Sequence, residues 1–512
     1  MNHLVVMPIL LPALAAGLLL AVGDRRLTAT RIVSLAATLL TAVCAAMLMA
    51  QAATGMHQVY LLGDWPAPFG IVLVLDRLSA LLLLLTGIVA VAACTYAACG
   101  WDSRGGHFHV LFQFQLMGLN GAFLTGDLFN LFVFFEVLLI ASYCLLLHGL
   151  GLPRLRAAMH YVLLNLTGSA VFLIAVSLLY GVTGTLNMAH LAERLTQLPP
   201  VDVPLAHAAG LILLGIFGLK AALLPLHFWL PAAYSSASAP VAVLFAIMTK
   251  VGVYAIVRVS TLVFGAEGGI AHIAPWLLPV SLATLAVAAL GALAAERLSA
   301  CAAYLTVGSV GTMLAAFATG GAEALAAALF YLVHSTFGAA ALFLLAELAG
   351  RRRGAAGDAI GSGDVTVNCA LLGVTFLLVA ASVAGLPPTS GFLGKLMILQ
   401  AVRETPAAAW IWLVILAAGL ITLLACVRAG ISLFWDGKQE RAGNVAEPSS
   451  AEWTPLVLLV ACSMLLMVAA APVKRHIDAT AAQITDRADY IAAVLGASPE
   501  RAPRALRERG GQ

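Results

Sequence analysis

The sequence predicts an all-α polytopic membrane protein of about fourteen transmembrane helices, with two inverted five-helix repeats and broken seventh and twelfth helices. Three observations carry that prediction. First, 62% of the 512 residues are hydrophobic and 10% are charged, where a soluble domain carries about 25% charged residues; mean hydropathy is +1.00. Second, the apolar residues fall into runs long enough to cross a bilayer as helix. Third, two interrupted runs sit inside a weak internal repeat. YVLLNLTGSA (161–170) and YLVHSTFGAA (331–340) share Tyr and Gly at an offset of 170, and FGLK (217–220) and FLGK (392–395) share a lysine at an offset of 175. These matches delimit helices 4–8 and 9–13. Each unit holds an odd number of crossings, so the second lies inverted relative to the first.

The first run, about 4–22, belongs to MNHLVVMPILLPALAAGLLLAVGDRR. No basic segment precedes it and its arginines follow it, so it reads as a spanning helix with its N-terminus outside and not as a signal peptide. Further runs cover about 30–50, 70–98, 107–125, 127–148, 157–181, 207–230, 240–262, 273–294, 299–319, 324–347, 366–402, 407–434 and 455–471. In the seventh, Pro225 cannot donate to the carbonyl of Ala221, next to Lys220. The twelfth is too long: some 37 residues make roughly 55 Å of helix against a hydrocarbon core of about 30 Å. Its centre, GLPPTSG (385–391), breaks the helix and frees the carbonyls of Val383 and Ala384. Interrupted membrane helices are tolerated where the freed backbone faces protein or water, and often mark ion sites. A polar tail from about 474 contains the amphipathic TAAQITDRADYIAAVLG, suited to a membrane or partner surface. The chain thus divides into N-terminal helices (1–106), a first repeat (107–262), a second repeat (273–434) and a last helix with tail (455–512).

Loop charges orient the helices. With the N-terminus outside, inner loops hold Arg25, Arg26, Arg31, Arg104, Arg154, Arg156, Arg297, Arg351, Arg352, Arg353, Lys438 and Arg441, and outer loops Arg194, Arg258 and Arg403. The bias follows the positive-inside rule. The basic tail (Lys474, Arg475, Arg501, Arg504, Arg507, Arg509) falls on the outer side, against that rule. A net charge of +3 from few charges does not suggest nucleic-acid binding. The eight cysteines form no CxxC and read as small packing hydrophobes. No P-loop, dinucleotide fingerprint, metal cluster or haem motif is present, so no cofactor is expected.

Four ionisable residues lie near the centres of apolar runs: Glu136 in NLFVFFEVLLIASY, Lys220 in LILLGIFGLKAALLPL, Lys250 in VLFAIMTKVGVYAI and Lys395 in GFLGKLMILQ. Their insertion costs on the order of 10–14 kcal/mol together. One carboxylate cannot neutralise three lysines, so helix gluing explains the set poorly. Proton transfer explains it better, because burial and a movable counter-charge shift the proton affinity of both groups. His334, mid-helix beside Ser335 and Thr336, is a further relay candidate, and His227 lies about two turns beyond Lys220. His160, Glu323 and Glu347 sit at helix ends and read as structural or solvated, Asp76–Arg77 as a local pair or interface anchor, Arg428 as snorkelling, and the FVFF cluster as packing.

LNGAFLTGDLFNLFVFFEVLLIASY (119–143), the stretch from Tyr161 to Ala192, LKAALLPLHFWLP (219–231) and TKVGVYAIVR (249–258) resemble the D subunits of Mrp-type (Mnh/Pha) multisubunit monovalent cation/proton antiporters, relatives of the antiporter-like subunits of respiratory complex I. The resemblance extends over nearly the whole chain. It implies the fourteen-helix inverted-repeat fold and a row of polar groups at mid-membrane. By motif, Glu136 and Lys220 match the family's ion pair, Lys250 its central lysine, Lys395 the lysine of the second broken helix, and His334 a polar position of helix eleven. LPAAY (230–234) lacks the acidic residue that complex I relatives carry after the proline, which places the chain nearer the antiporters. The resemblance further implies a multi-pass protein of the bacterial plasma membrane and other membrane subunits as partners. Protons and Na+ or K+ would be its cargo, and pH homeostasis its setting. Alternatives are a proton-pumping subunit of a quinone oxidoreductase or membrane-bound hydrogenase, and a non-conducting scaffold subunit.

Overall fold

The computed structural model describes residues 2–23, 26–67, 69–265, 269–361, 370–435 and 448–496. Arg25, Cys369, Lys438, Arg441 and the tail arginines Arg501, Arg504, Arg507 and Arg509 lie outside them.

The chain is nearly all helix. In order come α1 (Met7–Val22), α2 (Leu27–Ala52), the strands β1 (Gln58–Leu61) and β2 (Val72–Leu75), α3 (Arg77–Ala97), α4 (Phe108–Leu124), α5 (Leu128–Leu147), α6 (Leu152–Thr183), α7 (Met188–Leu195), α8 (Val203–Ala221), α9 (Trp229–Ser236), α10 (Ala239–Arg258), α11 (Gly269–Ala294), α12 (Leu298–Phe317), α13 (Ala322–Arg352), α14 (Ala370–Ala384), α15 (Ser390–Ala401), α16 (Ala408–Gly430), α17 (Ser450–Val468), α18 (Ala470–Thr485) and α19 (Arg487–Gly496). Among the described residues, twelve helical segments are long and apolar enough to cross a membrane, with α8 and α9 counted as one. They fall on twelve of the expected runs. The run at 107–125 is the 17-residue α4, and the run at 366–402 is two shorter helices, α14 and α15.

The start of the third run differs from expectation. Val72–Leu75 is not helix but strand, paired antiparallel with Gln58–Leu61. α3 begins only at Arg77, where the Asp76 carboxylate caps the Ser79 amide at 2.8 Å. An apolar β-branched run reads alike as strand or helix until its pairing partner is known.

Burial sorts the helices into a centre and a rim. The apolar windows of α10 and α13 are wholly buried, while those of α2, α16 and α17 are about one third buried or less. α10 packs on α3, α8 and α13; α13 packs on α12, α15, α17 and α18. The two helices that carry Lys250 and His334 therefore form the protein's axis.

The two ends differ in chemistry. Arg104, Arg154, Arg297 and Arg351, expected on the inner side, line one polar cleft together with Glu347 and Asp358. Near that end Asp102 is buried. Burial alone would raise its carboxyl's pKa, but hydrogen bonds from Arg31 and His109 hold it down at about 2. The opposite end is covered by the chain's own C-terminal segment. Residues 480–496, expected on a membrane or partner surface, instead dock here. The Gln483 side chain accepts from the Arg77 amide at 2.9 Å and donates to the Gly55 carbonyl at 2.8 Å, and Arg487 donates to the Ala192 carbonyl. An amphipathic pattern states that one face is covered, not what covers it.

Candidate functional site

The four mid-membrane charges and His334 lie on adjoining elements. Glu136 is half-buried on α5. It accepts a hydrogen bond from the Ser169 hydroxyl of α6. Lys220, in the last turn of α8, donates to the same Ser169 Oγ at 3.3 Å and to the Asn165 carbonyl at 3.4 Å. The expected Glu136–Lys220 pair is therefore bridged by a hydroxyl. Phe135 lies 5.8 Å from the ammonium and packs with Phe217 and Phe172, so the aromatic cluster borders this pair as well as packing.

Lys220 stands at a break in its helix, which comes earlier than Pro225. Ala222 already adopts a left-handed conformation (φ 61°), and Leu223 donates back to the Gly218 carbonyl. The loose ends are satisfied by side chains: the Trp229 indole donates to the Leu219 carbonyl at 3.1 Å, and Thr284 of α11 accepts from the Leu224 amide at 2.9 Å.

Lys250 is fully buried on α10 and donates to Ser309 of α12 at 3.1 Å. Gly252 lets α10 approach the Lys220 turn. A Cβ there would stand 2.5 Å from the Ala221 nitrogen, closer than any side chain tolerates. Beyond Ser309 a narrow cleft leads on to Lys395; Tyr304, Thr312, Tyr331 and Thr422 supply its other polar groups.

Lys395 of α15 reaches back across the second break. Its ammonium donates to the carbonyls of Ala384 (2.7 Å) and Val383 (3.4 Å), the two that the prolines were expected to free. His334, buried on α13, places Nδ1 2.9 Å from the Ser390 hydroxyl at the start of α15. His227 is not drawn into this row. It sits half-buried in the turn after the first break, and its Nδ1 has no hydrogen-bond partner among the described residues. Among those residues no group of three or more His, Cys, Asp or Glu could hold a metal ion.

Several residues turn out differently from expectation. Asp76 does not pair with Arg77; it pairs with Arg258 at 2.5 Å, both nearly buried, while Arg77 donates to the Ala53 carbonyl. Arg258 is therefore no loop charge. Glu347 is half-buried and accepts from the Trp101 indole at 3.1 Å. Arg428 donates to the Ala295 carbonyl. His160, expected to be structural, bonds the Arg156 carbonyl of its own helix. Sequence reasoning missed Ser169, Ser309 and Ser390. Ser169 stood in YVLLNLTGSA, a stretch read only for its Tyr and Gly.

A family model described as NADH:quinone oxidoreductase/Mrp antiporter, TM, matches residues 125–423, a span that contains Glu136, Lys220, Lys250, His334 and Lys395. The chain belongs to this family. Relatives of the NADH:quinone oxidoreductase/Mrp antiporter family match it almost end to end. It is 43% identical to the D subunit of a probable K(+)/H(+) antiporter of Rhizobium meliloti, over 94% of this chain and 95% of that protein. It is 35% identical to the D subunit of the Na(+)/H(+) antiporter of Bacillus subtilis, over 97% and 100%. Among solved structures, a chain of the Mrp complex from Dietzia sp. DQ12-45-1b superposes with a TM-score of 0.87 at 28% identity, covering 97% of this chain and all of that one. Like these Mrp antiporter relatives, the chain is a multi-pass membrane protein.

Proposed function

We propose that the chain is the subunit of a multisubunit monovalent cation/proton antiporter that moves protons along its buried row of charges. One observation carries this reading. Ser169 bridges Glu136 and Lys220, Lys250 bonds Ser309, and a cleft borders both Ser309 and Lys395, while the Gly252–Ala221 backbone approach brings the Lys250 helix against the Lys220 turn. The names of the two antiporter relatives support it.

On this reading Glu136 and Lys220 form the switch. Drawing the carboxylate away removes an opposite charge from surroundings of low dielectric, and the ammonium then gives up its proton more easily. Lys250 takes up the displaced proton, the cleft beyond Ser309 passes it on, and Lys395 receives it. Residues 107–262 and 273–434 act as paired halves, each with a broken helix and a lysine beside the break. The arginine-rich end faces inward, in the bacterial plasma membrane. The other membrane subunits of the complex are the partners, and Na+ or K+ exchanges for the proton.

The test is antiport by the assembled complex in everted vesicles. Lys395→Ala and Glu136→Ala should each lower the rate by about 100-fold or more, the usual scale for loss of a proton-transfer group, with normal amounts of assembled complex. Full activity in either variant overturns the assignment of that residue.

A further inference from the structure

His334 does not end the polar row. The Ser390 hydroxyl that meets its Nδ1 lies 3.1 Å from Ser463 Oγ and 3.4 Å from Ser382 Oγ, and those two are 3.4 Å apart. The three hydroxyls come from α15, α17 and α14 and close a triangle beside the second break. Elsewhere in these helices hydroxyls bond the carbonyl one turn back, as Thr336 does to Leu332 and Thr375 to Leu371. Ser382, Ser390 and Ser463 have no such carbonyl partner among the described residues; they bond one another. Ser382 and Ser390 are buried and Ser463 is half-buried.

The triangle borders a second cleft. This narrow cleft lies between α13, α14 and α17. Ser382 and Ser463 line it and its other walls are apolar. At the inner side of the triangle, Gly391 leaves room for the imidazole: a Cβ there would stand 2.7 Å from His334 Nε2.

We propose that Ser390 and Ser463 carry protons between His334 and this lateral cleft, as a branch that enters or leaves the buried row at the second broken helix. The proposal rests on the reading of that row as proton-conducting. A proton taken up at Nε2 from the Lys395 side makes the ring an imidazolium. The ring then releases its Nδ1 proton to Ser390 Oγ as Ser390 passes its own hydroxyl proton to Ser463. Ser463 in turn passes its own to water in the cleft. Only N–H and O–H bonds change and each hydroxyl ends neutral; the ring ends with its proton on Nε2, so a flip of the imidazole together with rotation of the hydroxyls resets the chain. α17 lies outside both repeated units, so the branch depends on an element that the two repeats do not supply.

Antiport and its pH profile in everted vesicles holding the full complex test this, with Ser463→Ala, Ser463→Thr, Val460→Trp and Lys395→Ala compared at equal assembly. Ser463→Ala should slow antiport about tenfold and change the pH profile. Ser463→Thr keeps a hydroxyl and should remain within about twofold of the parent. Val460→Trp fills the cleft, touches no hydrogen bond of the triangle, and should reproduce the alanine loss. If Ser463→Ala keeps the parental rate and pH profile while Lys395→Ala is inactive, the branch is wrong and the main row stands. If Lys395→Ala is also fully active, the row itself is wrong. Equal losses in the alanine and threonine variants with an unchanged pH profile would show a packing role and overturn the branch.

Discussion

Between Glu136 and Lys220 stands a neutral hydroxyl, and that decides how firmly the two charges hold each other. Ser169 donates to the carboxylate and accepts from the ammonium, so it satisfies both without letting them collapse into a contact pair. Leaving such buried partners unsatisfied costs about 1–3 kcal/mol. Ser169→Ala should therefore slow antiport by about tenfold, while Ser169→Thr keeps most of the rate; transport assays on assembled complex decide, and an unimpaired alanine variant would remove Ser169 from the switch. The four charges were legible in the sequence because each violates an apolar run. The hydroxyls were not. A serine in a membrane helix satisfies itself on its own backbone, as Thr167 does at Leu163, and nothing in YVLLNLTGSA separates Thr167, which faces outward, from Ser169, which bridges two charges. The carbonyls of Val383 and Ala384 were legible for the opposite reason: helix geometry is local, so a proline names the acceptor it frees.

At the level of elements, the row depends on helices that come unusually close. α10 meets the end of α8 where Gly252 lies against the backbone of Ala221, and a Cβ there would also stand 2.9 Å from the Ala221 Cα. Backbone cannot yield as a flexible side chain can. Gly252→Ala should push Lys250 away from the Lys220 turn and cost about 1–3 kcal/mol, seen as a lower unfolding midpoint of the purified complex and reduced antiport. Gly215, on the same α8 but with nothing within 4 Å of where a Cβ would stand, is the control: Gly215→Ala should leave both unchanged or raise stability by up to about 1 kcal/mol. Equal behaviour of the two variants would show that the close approach does not matter. Element existence was readable from apolar periodicity. The exact break in α8 was not, because Pro225 forbids one hydrogen bond but does not dictate where upstream the helix unwinds, and the Trp229 indole and Thr284 hydroxyl that satisfy the loosened backbone are remote or downstream.

Across the whole molecule, the C-terminal segment closes the end of the axis that the arginine-rich cleft leaves open at the other. Lys250, Tyr254 and Arg258 recur on one face of α10 and span about 12 Å. At the end of that face Arg258 pairs with Asp76, and Tyr490 of α19 lies with its ring 5.4 Å from the guanidinium. Tyr490 is 4% exposed. Beside it His57 Nδ1 lies 3.1 Å from the Asp489 carboxylate, and the Asp489 side chain is 60% exposed. The two neighbours should therefore behave differently. Removing a buried aromatic ring costs about 3–5 kcal/mol, whereas a contact made by an exposed carboxylate contributes no more than the about 0–1 kcal/mol of a surface ion pair. Tyr490→Ala should open a water path to the Asp76–Arg258 pair, lower the unfolding midpoint of the complex and raise the passive proton permeability of vesicles measured without a driving cation. Asp489→Asn should do neither. If vesicles carrying Tyr490→Ala stay as proton-tight as the parent, α19 is packing and not a seal, and the Asp76–Arg258 pair alone must close this end of the axis.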